Sequence, residues 1–195
     1  MSEDRQTLDV YDAQAAEYEA RVAVKNTPGL DGFIAALPHD AHVLDLGCGP
    51  GLTAKQMMDH GLTVDATDGS DAMVKRARNH GVEARQALFH QIDGQALYDG
   101  IFANFSLLHL PRAQMPEMLV RIHRLLRPQG VLHIGVKLGT GDTRDDLGRY
   151  YTYYQQDELE ELLTSAGFTL ITHILGSGTG LDGRSSDWIV IHARS

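Results

Sequence analysis

The 195-residue sequence is poor in several residue types, and each shortage narrows what the protein can be. A single cysteine, Cys48, excludes an internal disulfide and fits a reducing compartment. Only four lysines and a formal net charge of −9 disfavour binding to a phosphate backbone, because such binding depends on clustered cations. We therefore expect no nucleic-acid partner.

Long hydrophobic runs are also missing. The longest uncharged apolar stretch, about residues 100–111, is too short to span a bilayer as a helix. The first residues are charged and no apolar segment follows them, so we expect no signal peptide. The sequence thus predicts a cytoplasmic protein without a membrane partner.

What is present is a regular alternation of predicted strands and helices. It predicts an α/β fold: a Rossmann-like, doubly wound, seven-stranded, mostly parallel sheet with an antiparallel last strand and helices on both faces. Strands are expected at 43–46, 62–67, 82–87, 100–105, 131–138, 168–175 and 187–193, and helices at 9–24, from 27–28 onward, and at 52–60, 70–81, 112–126 and 157–166.

The length fits a single domain over residues 1–195, with helices in residues 1–38 before the first strand. Residues 139–156 form a polar insert after the fifth strand and are a candidate substrate lid. Arg149, Tyr150 and Tyr153 of this insert are candidate substrate-binding residues, because tyrosines can wall an apolar pocket and arginine selects anions. The alternative is that the tyrosines belong to the core and the arginines pair with Asp145 or Asp146 in solvent.

The segment from Val43 to Gly51 carries the strongest functional signal. Gly47 and Gly49 follow a buried strand and permit a tight turn with exposed backbone. Asp45 lies inside that apolar strand, where an unpaired carboxylate is costly. Asp68 follows the second strand, 21 residues after Gly47, at the position where a carboxylate accepts hydrogen bonds from ribose hydroxyls.

The spacing of this loop argues against a dinucleotide. The dinucleotide fingerprint needs a glycine at its sixth position, where this sequence has Leu52. Pro50 also removes an N–H donor where a pyrophosphate would need one. A cationic sulfonium ligand does not need that phosphate cradle.

Residues 43–51 resemble the first motif of the class I S-adenosylmethionine-dependent methyltransferases. The resemblance, to the small-molecule branch of the family, continues through residues 102–110, 127–130 and 162–168 and through Tyr11, Asp12 and Tyr18. It implies that S-adenosylmethionine is the cofactor, S-adenosylhomocysteine the product, and residues 1–38 a helical cap over the cofactor. The cofactor-binding residues that it implies are Tyr11, Tyr18, Asp45, Gly47, Cys48, Gly49, Asp68, Gly69, Met73, Ala87, Leu88, Asn104 and Phe105.

By this resemblance, Asp68 would bind the ribose, Met73 would pack near adenine, and the Asn104 backbone would face the amino-acid end of the cofactor. The chain departs from the family at Leu88, where an acidic residue commonly accepts a hydrogen bond from adenine. Either backbone groups of residues 87–89 hold the adenine instead, or Asp93 reaches it.

His109 is the candidate general base, since it follows the fourth strand at the edge where the methyl group would be presented. The alternative is a structural histidine that caps the loop. No cysteine or carboxylate cluster accompanies the histidines, so we expect no metal site.

These observations predict methyl transfer to an unidentified small-molecule acceptor. Two alternatives are a non-catalytic S-adenosylmethionine-binding protein and an NAD-dependent oxidoreductase on a Rossmann-like fold. The sequence leaves open which atom is methylated and how many chains assemble.

Overall fold

A computed structural model describes residues 4–24 and 26–195. Its main element is one seven-stranded sheet in the order β3-β2-β1-β4-β5-β9-β8, to which a small two-stranded hairpin, β6–β7, is added. The strands are β1 His42–Leu46, β2 Thr63–Asp68, β3 Ala84–Gln86, β4 Tyr98–Asn104, β5 Leu126–Lys137, β6 Asp142–Arg144, β7 Tyr150–Thr152, β8 Thr169–Thr179 and β9 Ser185–Arg194. The helices are α1 Arg5–Val22, α2 Leu30–Ala35, α3 Leu52–Asp59, α4 Asp71–Asn79, α5 Met115–Leu125 and α6 Gln156–Ser165.

The predicted fold class is confirmed. Strands β1 to β5 pair in parallel, whereas β9 runs antiparallel to both β5 and β8. The strand order reverses between β1 and β4, so their carboxyl ends border the crevice where ligands bind in sheets of this kind. Ligand-binding side chains are therefore expected just after these two strands.

Two hydrophobic clusters, one on each face, hold the sheet. On one face α5 and α6 bury Leu119 and Leu163 against the strands. On the other face Phe33 of α2 and Met57 of α3 pack against Val43 and its neighbours. The predicted helices on both faces are thus present.

Several predicted bounds were wrong for local reasons. Helix α1 begins at Arg5, four residues early, because the Asp4 side chain accepts a hydrogen bond from the Thr7 amide and caps the helix. Strands β8 and β9 extend through most of the predicted loop 176–186, leaving residues 180–184 as the turn. The expected lid at 139–156 contains the β6–β7 hairpin. No helix within the described residues is both long and apolar enough to cross a membrane.

Candidate functional site

The glycine loop between β1 and α3 folds as a tight turn. Gly47, Gly49 and Gly51 all have positive φ values, of 82°, 54° and 80°. The amides of Gly47 and Cys48 donate to the Thr67 carbonyl at 2.8 and 2.9 Å, which ties the loop to β2. A Cβ atom on Gly47 would lie 2.3 Å from Cβ of Ser106, so only glycine fits there.

Asp68, the last residue of β2, braces this loop. Its Oδ2 accepts a hydrogen bond from the Gly49 amide and its Oδ1 accepts one from the Ser70 amide, both at 2.8 Å. Burial raises the pKa of Asp68 to about 6, although the Ser70 and Gly49 amides oppose the increase. The carboxylate therefore stands at the junction of the glycine loop and the N-terminus of α4.

A cleft opens beside these groups at the carboxyl edge of the sheet. It encloses about 700 Å³ of space, part of which is open to solvent. Its wall contains twelve residues predicted from the sequence: Tyr11, Tyr18, Gly47, Gly49, Asp68, Gly69, Met73, Ala87, Leu88, Asn104, Phe105 and His109.

Helix α1 forms the roof of the cleft. The Tyr11 and Tyr18 rings meet edge to face, with centroids 5.5 Å apart, and the Tyr18 ring lies against Gly49. Asp12 fixes the helix to α4, because its Oδ1 accepts hydrogen bonds from the Ser70 hydroxyl at 2.6 Å and the Ala72 amide at 3.1 Å. The roof therefore encloses the space beside the glycine loop.

His109 lies in a short 3₁₀ turn after β4, and Tyr11 reaches it from the roof. Its Nδ1 donates to the Tyr150 carbonyl at 2.6 Å, so Nε2 of the neutral ring is free to accept from the Tyr11 hydroxyl at 2.9 Å. Burial lowers the pKa of His109 to about 4, and Arg149 contributes to the decrease. The imidazole is consequently neutral near pH 7.

The predicted substrate role of the insert is not supported by its placement. Arg149, Tyr150 and Tyr153 do not line the cleft. The Arg149 guanidinium is only 1% exposed and pairs with Asp145 at 2.6 Å, so it is shielded from any ligand. It also donates to the Tyr11 hydroxyl at 3.2 Å and thus joins the insert to the roof.

Two predicted cofactor residues lie behind the wall rather than on it. Asp45 and Cys48 are buried, at 3% and 7% exposure, and neither borders the cleft. Burial, with a further contribution from Asp68, raises the pKa of Asp45 to about 8, and its Oδ2 has no hydrogen-bond partner. Both side chains therefore belong to the support of the loop.

The adenine-side wall is apolar, and Asp93 does not contribute to it. Asp93 is exposed and pairs with Arg124. Of the two alternatives for holding the adenine, only the backbone groups near Leu88 therefore remain. Five wall residues were missed, although Leu8 lies on the same face of α1 as Tyr11 and Tyr18, so the helical spacing could have indicated it. The missed residues are Asp4, Thr7, Leu8, Phe89 and Ser106.

The residues present fit S-adenosylmethionine. Asp68 offers a carboxylate to a pair of hydroxyls, while Met73 and Leu88 offer apolar surface to a flat base. No lysine or arginine is found among the described residues of the wall, which disfavours a pyrophosphate.

Comparisons with known proteins agree with this geometry. Residues 43–130 match the family described as "Methyltransferase domain". The chain is 29% identical to the carboxy-S-adenosyl-L-methionine synthase of Vibrio atlanticus over 150 residues, which cover 65% of this chain and 60% of that protein. It is 36% identical to the trans-aconitate 2-methyltransferase of Delftia acidovorans over 100 residues, which cover 48% of this chain and 37% of that protein.

A solved structure resembles nearly the whole chain. The 1,6-didemethyltoxoflavin-N1-methyltransferase of Burkholderia thailandensis, crystallised with 1,6-didemethyltoxoflavin and S-adenosylhomocysteine, superposes with a TM-score of 0.72 and 26% identity. The superposition covers 96% of this chain and 87% of that one.

The match of residues 43–130 to a methyltransferase domain agrees with the resemblance to the class I S-adenosylmethionine-dependent methyltransferases of the small-molecule type. S-adenosylmethionine is the methyl donor of this family and S-adenosylhomocysteine is its product, as the sequence predicted. The chain spans about 60% and 37% of the two curated relatives' lengths, so their acceptors do not transfer to it.

Proposed function

We propose that the chain is an enzyme that transfers the methyl group of S-adenosylmethionine to a small-molecule acceptor. The observation that carries this proposal is a single cleft with the glycine loop and Asp68 in one wall and the Tyr11–His109 pair in another. When bound, S-adenosylmethionine supplies a methyl group attached to a good leaving group. The tasks left to the protein are to align the reactants, to exclude water and to accept a proton where the acceptor carries one.

The cofactor end of the cleft would be held by few groups. Asp68 would accept hydrogen bonds from the ribose hydroxyls, and the bare backbone at Gly47 and Gly49 would lie along the methionine portion. Met73 and Leu88 would enclose the adenine. The α1 roof would then cover the bound cofactor and reduce its contact with water.

Tyr11 and His109 would manage the acceptor's proton. The Tyr11 hydroxyl donates to Nε2 of His109 and also has Arg149 and Tyr151 as hydrogen-bond partners, so the acceptor would take the place of Tyr151 at the Tyr11 oxygen. As the acceptor loses its proton to the Tyr11 oxygen, the tyrosine's own proton passes to Nε2. The lowered pKa of His109 keeps Nε2 unprotonated at neutral pH.

The proposal covers a single domain over residues 1–195 that acts in the cytoplasm on a small acceptor. A net charge of −9 supports a small molecule over a nucleic acid. The α1 roof over the cleft supports it as well, because it covers part of the site.

The test is acceptor-dependent formation of S-adenosylhomocysteine from S-adenosylmethionine, across a chemically diverse panel of small acceptors. We expect at least one acceptor to be methylated and Tyr11→Phe to lower kcat/KM for it by about 100-fold. The affinity of this variant for S-adenosylhomocysteine should stay within threefold of the wild-type value. Tight binding of the product without turnover of any acceptor would instead support the non-catalytic binding protein.

A further inference from the structure

Lys137 is a half-buried cation for which the described part of the chain provides no hydrogen-bond acceptor or ion-pair partner. Its ammonium group lies over the Tyr151 ring, 4.1 Å from the ring centroid. The nearby guanidinium of Arg149 differs, because it is neutralised by Asp145. Lys137 therefore has no direct ion-pair partner within the described residues, although Asp182 and Asp145 lie near enough to act on its charge.

Lys137 does not line the cleft, but aromatic side chains beside it contact residues that do. It is the last residue of β5 and pairs directly with Trp188 of β9, so both side chains project from the same face of the sheet. The Trp188 ring contacts the ring of Phe105, at 6.0 Å between centroids, and Phe105 lines the cleft. On the other side, Tyr151 lies 4.7 Å from the His109 ring.

The electrostatics favour an incoming anion at this point. Burial lowers the pKa of Lys137 and the Arg149 charge adds to the decrease, whereas Asp182 and Asp145 act in the opposite direction. Asp182 is not within ion-pair distance of the ammonium, and its side chain accepts instead from the Arg184 amide at 3.2 Å. A partly dehydrated ammonium without a partner is destabilised, and a bound anion would offset that cost.

We propose that the methyl acceptor is a small organic acid whose carboxylate is bound by Lys137. This inference rests on the proposed methyltransferase function. One ammonium balances one negative charge, whereas a phosphate dianion would leave a second charge in the field of Asp182. Tyr151 under the ammonium and the Trp188–Phe105 ring pair beside it suit an apolar or aromatic body on the same molecule.

The experiment uses the full chain saturated with S-adenosylhomocysteine, whose binding is measured first by calorimetry. Matched pairs of carboxylic acids and their primary amides are then titrated: benzoate with benzamide, indole-3-acetate with indole-3-acetamide, and octanoate with octanamide. The two members of each pair have nearly the same shape and differ in charge. We expect at least one acid to bind tenfold or more tightly than its amide.

Three variants assign the preference to Lys137. Lys137→Met should abolish it without changing the affinity for S-adenosylhomocysteine, and Lys137→Arg should retain it within threefold. Asp182→Asn separates a binding role from a structural one, because removal of the neighbouring carboxylate should strengthen acid binding. If Lys137 only stabilised the position of Asp182, then Asp182→Asn and Lys137→Met would change the preference for acids over amides in the same direction. Melting temperatures confirm that each variant is folded.

The outcomes are distinct. Equal affinity for acids and amides across the panel, or a preference that survives Lys137→Met, would overturn the inference and leave the methyltransferase proposal intact. Failure of the wild-type chain to bind S-adenosylhomocysteine would contradict the proposed function itself.

Discussion

At the scale of single residues, Asp68 has a structural and a ligand-binding task at once. Its two carboxylate oxygens already accept amides from Gly49 and Ser70, so it shapes the loop before any ligand arrives. Each carboxylate oxygen has capacity for a second hydrogen bond, which is what a ribose hydroxyl would use. The sequence identified the residue but not this bracing role, because the role depends on chain segments that meet only in the fold.

Asp68→Asn should weaken binding of S-adenosylhomocysteine by at least tenfold, because it removes a charge-assisted acceptor. In the wild type, affinity should rise between pH 5 and pH 7.5, since the pKa of Asp68 in the free protein is about 6 and the carboxylate is the binding form. Calorimetry at both pH values measures this. Asp71→Asn, at an exposed position on α4, is the matched control. It should change neither the affinity for S-adenosylhomocysteine nor the rise of that affinity with pH. An unchanged affinity in Asp68→Asn would remove Asp68 from the ligand site.

Asp45 is the second residue whose ionisation has consequences for the whole protein. Its pKa is raised from 3.8 to about 8, so the folded state retains a proton that the unfolded state releases between these pH values. Because the folded state binds more protons there, stability falls as pH rises from about 4 to 8.

Asp45→Asn abolishes this titration. The melting temperature of the variant minus that of the wild type should therefore increase from pH 4 to pH 8 and level off above it. The increase should be at least about 5 °C, because one pKa unit corresponds to about 1.4 kcal/mol and a domain of this size gains about 2–4 °C per kcal/mol. A difference that is flat across this range would show that Asp45 is not buried with a raised pKa.

At the scale of elements, the glycine loop depends on space as well as on backbone conformation. Gly47 and Gly61 both have positive φ values, of 82° and 86°, yet a Cβ atom on Gly61 would meet nothing within 4 Å. Gly61→Ala therefore carries only the cost of the left-handed conformation, about 1–2 kcal/mol. Gly47→Ala adds the collision with Ser106.

We expect Gly47→Ala to lose measurable binding of S-adenosylhomocysteine and to melt well below Gly61→Ala. Gly61→Ala should keep its affinity within threefold, because it lies at the far end of α3. Calorimetry and thermal melting of the two variants test this directly. Equal behaviour of the pair would mean that the Ser106 contact does not constrain the loop.

Other elements were predicted less well because their local signals are ambiguous. Gly176 and Gly178 indicated a loop, but they lie in β8, where a Cβ atom on Gly176 would be 2.2 Å from the Trp188 ring. Arg149 was predicted either to bind the substrate or to pair with an aspartate in solvent. The fold instead brings it back onto Asp145 across a turn, with both side chains buried.

At the scale of the whole molecule, the sequence predicted the architecture well, because strand and helix periodicity continues through nearly the entire chain. The seven strands of the main sheet and the helices on both faces follow from it, whereas most of the cleft wall was implied by the family resemblance. Phe105 was assigned to a strand, and its positive φ of 55° was not predictable from a non-glycine residue. The polar contacts among α1, the insert and His109 join positions up to 143 residues apart, so no local pattern could reveal them.

The central claim is that the cleft is built for S-adenosylmethionine rather than for a dinucleotide. The most direct measurement is a thermal-shift comparison of S-adenosylhomocysteine with NAD, NADP and FAD, because the product analogue cannot react during the scan. At a hundredfold excess over its dissociation constant, a ligand specific for the folded state adds about 2.7 kcal/mol, roughly 5–10 °C for a domain of this size. We predict such a shift with S-adenosylhomocysteine and almost none with the dinucleotides. A clear shift with NAD and none with S-adenosylhomocysteine would contradict the account.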